Sequence, residues 1–152
     1  MEALVHGTCV ALGGACALLR GRSGCGKSDL ALRFLFLHAK SLRHAASLVA
    51  DDQVFLRSIA NRLIASPPPS LAGKIEVRGI GIVQIAGSIP SAELRLLVDL
   101  DKYQEITRFP EGEQFEQVLG FEIPRIALDP FEPSAPIKLA LALQNFFGNS
   151  HA

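Results

Sequence analysis

The chain has 152 residues, 49% of them apolar, and its 15 basic and 15 acidic side chains cancel to a formal net charge of zero. That length suits one domain with a real core over residues 1–152. Nothing in that apolar content and even charge balance suggests a nucleic-acid surface, a disordered tail or a membrane-surface patch.

In chain order, Leu4–Leu12 and Cys16–Arg20 read as strands joined at Gly13-Gly14, a hairpin turn pair. Leu12–Cys16 is loosely similar to a lipoprotein cleavage box, but no lysine or arginine precedes it, Glu2 is acidic and His6 interrupts the apolar run. A helix is expected over Ser28–Ala39, followed by a basic connector and a short buried strand, Ser47–Ala50, that ends in two acids. Val54–Ser58 and Arg62–Ala65 flank Ala60-Asn61 as a second hairpin, and Pro67-Pro68-Pro69 makes a rigid surface connector. Ile75–Ile85 is apolar with embedded glycines, and Leu94–Leu100 reads as a strand buried on both faces. The polar segment Asp101–Gln117 is expected to be irregular or partly helical. Phe121–Leu128 is a further strand, and a last helix runs over Ala135–Phe147, stopped by Gly148. Many strands and two helices predict an α/β domain with a mixed, partly antiparallel sheet and flanking helices.

Three cysteines (Cys9, Cys16, Cys25) fit no zinc spacing, and an odd count gives no disulfide framework, so free thiols in a reducing cytoplasm are expected. No apolar run is long enough to span a bilayer.

The chemistry starts at Gly21-Arg22-Ser23-Gly24-Cys25-Gly26-Lys27-Ser28, which fits G-x-x-x-x-G-K-[ST] at every defined position, between a strand and a helix. The glycines let backbone N–H groups turn inward onto phosphate oxygens. Lys27 offers charge to the outer phosphates, Ser28 a hydroxyl to their magnesium, and the helix its positive end. The pattern predicts a P-loop that binds a nucleoside triphosphate.

Downstream, Asp51-Asp52 sits at the carboxyl end of an apolar strand, where ligands bind in open α/β sheets. One carboxylate near magnesium and one near the acceptor oxygen suit phosphoryl transfer; a solvated strand-to-turn junction is the alternative. In Glu76-Val77-Arg78-Gly79-Ile80-Gly81-Ile82 the glycines suggest a bulge or close backbone approach, and Glu76 and Arg78 share a strand face, where they could simply pair. His6, taken alone, reads as a hydrogen-bonded core histidine.

The order of His6, the loop, Leu48–Asp52 and the run E-[VI]-R-G-[LI]-G-I at 76–82 resembles the catalytic domain of bacterial HPr kinase/phosphorylase, over nearly the whole chain to Leu119–Pro124 and the last helix. The resemblance implies a P-loop kinase-type fold and ATP- and magnesium-dependent phosphorylation of a serine on the phosphocarrier HPr, which regulates the sugar phosphotransferase system. It also implies phosphorolysis of phosphoseryl-HPr with release of pyrophosphate. It assigns ATP to Gly21–Ser28, magnesium to Ser28 and Glu76, the general base to Asp52, and active-site roles to His6, Lys27 and Arg108. It implies a homo-oligomer, a hexamer, in the bacterial cytoplasm.

Because His6 lies so near Met1, the chain is expected to be a short form lacking the N-terminal domain of longer members. Residues 129–136 hold no arginine, where longer members carry a proline- and arginine-containing stretch tied to dephosphorylation, so kinase activity is the firmer expectation. A P-loop kinase with another protein or small-molecule substrate, or a nucleotide sensor without turnover, stays open as an alternative. A GTPase lacks its N-K-x-D base-reading motif here.

Overall fold

The structure, a computed structural model, describes residues 1–37, 44–101, 106 and 114–148. Its frame is two long strands, each bent once. The first is β1 (Glu2–His6) and β2 (Thr8–Leu12), broken only at Gly7; the second is β4 (Ala46–Ala50) and β5 (Gln53–Ile59), broken at Asp51-Asp52. They run antiparallel side by side, with His6 opposite Gln53 and Cys9 opposite Ala50, and the Gly7 N–H donates to the Asp52 carbonyl at 3.0 Å where both bend. A methyl group at position 7 would sit 2.8 Å from Leu18 Cδ1 and 2.9 Å from the Leu19 carbonyl oxygen, so the bend needs glycine for its close approach.

The other strands of the main sheet are β3 (Ala15–Arg20), β6 (Arg62–Ser66), β9 (Ala92–Leu100), β10 (Gln114–Val118) and β11 (Phe121–Leu128); β7 (Lys74–Val77) and β8 (Gly81–Gln84) form a separate hairpin. The sheet order is β1-β5-β6-β9-β3-β2-β4. Since β1 continues into β2 and β5 into β4, the sheet curls back on itself. Inside the curl lie Cys9, Ala11, Cys16, Leu18, Leu94 and Leu97. Their strand neighbours Val10, Leu12, Ala17, Leu19, Leu96 and Val98 face outward under the helices. Along β9 the faces alternate from Leu96 onward, while Leu94 reaches the inner side across the register shift opposite Cys16 and Ala17, and apolar side chains cover both faces.

The helices are α1 (Lys27–Leu35), which buries Leu30, Ala31 and Phe34, and α2 (Ala135–Gly148), which buries Ala135, Leu139, Ala140 and Leu143 on one stripe. The expected first helix was longer; α1 ends at Leu35, where Phe36 caps it.

Three strands run parallel, β3 beside β9 and β9 beside β11. Their carboxyl ends, Arg20, Leu100 and Leu128, therefore open onto one edge, the ligand edge of an α/β sheet. Two expectations are corrected. Gln114–Val118 is an edge strand paired with β11 rather than irregular or helical chain, its polar residues suiting its exposed face. Ile75–Ile85 is a tight hairpin rather than one bulged strand, because Gly79 (φ 86°) and Gly81 (φ 116°) turn the chain and the Ile80 N–H closes on the Val77 carbonyl at 3.0 Å.

Candidate active site

The loop 21–26 joins the carboxyl end of β3 to the amino end of α1. Gly24 (φ 80°) and Gly26 (φ 101°) take left-handed backbone that other side chains rarely adopt. A side chain at position 21 would collide with Cys25 Sγ. Lys27 is buried to 7% exposure, its Nζ donating to the carbonyls of Gly21 (2.8 Å) and Arg22 (2.9 Å), so the loop is wrapped around its own cation. Anionic oxygens entering the loop would take over those bonds, exchanging neutral acceptors for charged ones.

The stem of the loop is clamped. Arg20 pairs side-on with Glu116 (2.6 and 2.9 Å) and Asp99 (2.8 and 3.1 Å), tying β3 to β10 and β9. The Glu116 hydrogen bonds, and Asp99 after them, raise the pKa of Arg20 above its ordinary value. In return the Arg20 hydrogen bond holds the Glu116 carboxyl below its own.

The residue that assembles the site is Asp51. Its buried carboxylate accepts from the Thr8 hydroxyl (2.8 Å), the Ser28 hydroxyl (2.8 Å) and the Glu76 backbone N–H (3.2 Å), joining β2, α1 and the β7–β8 hairpin at one side chain. The sequence marks both acids at the strand end but does not reveal that Asp51 turns inward. Thr8, fully buried beside it, carries no motif that would have announced it.

Asp52 faces the other way. The Gln53 N–H closes on the Asp51 carbonyl at 2.9 Å, and Asp52 between them has φ 71°, a rare and strained sense for a residue with a side chain. Its carboxylate, 66% exposed, lies 3.5 Å from Nδ1 of His6, which is itself half exposed rather than a core histidine. The structure thus brings Lys27, Ser28, Asp51, Asp52 and His6 to one end of the sheet, with Glu76 attached through its backbone.

Within the 76–82 run, Glu76 and Val77 end β7, Arg78 lies in the turn rather than on the strand face expected for it, and Ile80 and Ile82 are 78% and 68% exposed. Val77 and Ile80 border an apolar groove of ≈ 440 Å³ against Leu32 of α1 and Phe36 just after it. Arg108 lies outside the described residues.

Among the described residues no cluster of three or more His, Cys, Asp or Glu could hold a metal alone. The donors present suit magnesium, which keeps several waters and needs only one or two carboxylates beside phosphate oxygens. Ser28, whose hydroxyl bonds Asp51, and Glu76, joined to Asp51 only through its backbone N–H, are the residues that could hold it.

Residues 1–139 match the family model for the HPr Serine kinase C-terminal domain. The chain is 31% identical over 154 residues to the HPr kinase/phosphorylase of Geobacillus thermodenitrificans, covering 93% of this chain and 47% of that protein. It is 26% identical over 149 residues to that of Clostridium beijerinckii, covering 92% and 47%. The chain thus spans under half the length of these curated relatives. The Hpr(Ser) kinase/phosphatase structure from Coxiella burnetii superposes with a TM-score of 0.80 at 23% identity, covering 99% of each chain, and so shares the fold. No helix among the described residues is long and apolar enough to cross a membrane. With the match over residues 1–139, the chain belongs to the family of HPr serine kinase C-terminal domains.

Proposed function

We propose that the chain is one catalytic unit over residues 1–152 that transfers the terminal phosphoryl group of ATP, with magnesium, to a serine of HPr. The observation that carries this reading is the division of labour between adjacent carboxylates: Asp51 buried on Ser28, Asp52 exposed beside His6. A pure nucleotide sensor needs the first and has no use for the second.

Asp52 accepts the serine proton as the new O–P bond forms and the bond to the departing diphosphate breaks. His6 lies beside that carboxylate, 3.5 Å away. Lys27 and the loop N–H groups neutralise charge on the transferred oxygens. Magnesium, when bound, supplies further positive charge at the phosphates. Arg108 would add a cation from the segment after β9. The exposed Ile80 and Ile82 beside Glu76 favour a protein acceptor over a small molecule, since an apolar rim of this kind suits macromolecular contact. The unpaired thiols of Cys9, Cys16 and Cys25 fit a cytoplasmic setting, where HPr and a hexameric assembly complete the proposal.

The test separates binding from transfer. Lys27→Ala is expected to lose ATP binding in calorimetry and all transfer, whereas Asp52→Asn keeps ATP binding and loses transfer. Wild-type transfer by Asp52→Asn would remove the base from this mechanism.

A further inference from the structure

We propose that Phe131 is the stacking platform for the base of the bound nucleotide, an inference that rests on the P-loop reading above. The triphosphate loop fixes only one end of such a ligand; the nucleoside must lie elsewhere along the same edge of the sheet. The three parallel strands open onto that edge, and the segment following β11, 129–134, is the described connection that returns over the loop. A Cβ on Gly26, the cap of α1, would lie 3.2 Å from Pro130 Cβ and 3.4 Å from Cε1 and Cζ of Phe131. The ring thus stands at the mouth of the phosphate loop.

Phe131 is nevertheless 71% exposed, unusual for an aromatic ring whose backbone is firmly held. Its N–H donates to Asp129 Oδ1 at 2.9 Å, and Arg33 of α1 donates to the carbonyls on either side of it, Pro130 and, at 3.3 Å, Glu132. Lys138 of α2 holds Glu132 at 2.7 Å. An apolar ring carried on a held backbone and left open to water is placed to meet a flat partner. Base–aromatic stacking needs no hydrogen-bond code, so the platform accepts purine and pyrimidine nucleoside triphosphates alike, with purines gaining more area.

The experiment compares ATP with inorganic triphosphate, which fills the loop but has no base, by calorimetry on the wild type, Phe131→Ala and Phe131→Tyr. The wild type is expected to bind ATP more tightly than triphosphate. Phe131→Ala should weaken ATP about tenfold and leave triphosphate unchanged, while Phe131→Tyr keeps wild-type affinity for both. Unchanged ATP affinity in Phe131→Ala, or an equal loss for both ligands, overturns the platform and leaves the P-loop reading standing. A wild type that binds neither ligand overturns both.

Discussion

Replacing Asp51 by alanine tests whether one carboxylate holds the site together. The carboxylate serves three donors, and they differ in what they lose. The Thr8 hydroxyl is fully buried at 2.8 Å and would be stranded, a cost of about 1–3 kcal/mol. Ser28 and the Glu76 N–H lie nearer the open loop and can regain water, so each adds about 0.5 kcal/mol. Removing a carboxylate that must itself be kept from water offsets part of this. The net expectation is a loss of about 2–3 kcal/mol, or a urea midpoint lower by roughly 1–2 M at unchanged slope. Far-UV circular dichroism is the suitable probe, because the chain has no tryptophan. Thr8→Val supplies the internal control: harmful alone, it should recover about 1 kcal/mol in the Asp51→Ala background by removing the stranded hydroxyl. A midpoint within about 0.3 M of wild type, or strictly additive effects of the two changes, would refute the reasoning.

Three further outcomes are expected. Gly7→Ala pushes a methyl group against the Leu19 carbonyl and should lower the melting temperature by about 4–8 °C, a cost near 2 kcal/mol; calorimetry showing no change would contradict the close approach. Asp52→Gly relieves the left-handed strain at φ 71° and should stabilise the fold by about 0.5–1 kcal/mol while abolishing transfer, which chemical denaturation and a kinase assay read separately. For Glu116, Arg20 depresses the folded pKa below 4.5, so its contribution is present above that value and is lost as pH falls through the folded pKa. Glu116→Gln should therefore be less stable than wild type at pH 7, by under about 1 kcal/mol after solvent screening, with the gap closing in acid; a gap that widens in acid would reverse the sign.

Local patterns were the readable part of this fold. The phosphate loop is contiguous, so its residues state their own geometry. Gly13-Gly14 and Ala60-Asn61 are two-residue turns legible from the flanking strands, and the positive φ of 50° and 60° at Ala60 and Asn61 follows from the hairpin twist. What depended on register was not readable. Neighbouring acids on a strand point to opposite faces, yet which one turns inward is decided by the bend at Gly7 and the tight turn at Asp52. Gly79 and Gly81 suit a bulge or a hairpin equally until Lys74–Val77 finds its partner in Gly81–Gln84. The seat of Phe131 over Gly26 needed the parallel pairing of β11 with β9, a contact between segments about thirty residues apart in sequence.

The most direct measurement is mass spectrometry of HPr after incubation with this protein, magnesium and ATP, with Asp52→Asn run alongside. The expected result is one phosphoryl group on one serine of HPr with the wild type and none with the variant. HPr left unmodified by a wild-type protein that still binds ATP would contradict the assigned substrate, and equal phosphorylation by the variant would contradict the role of Asp52.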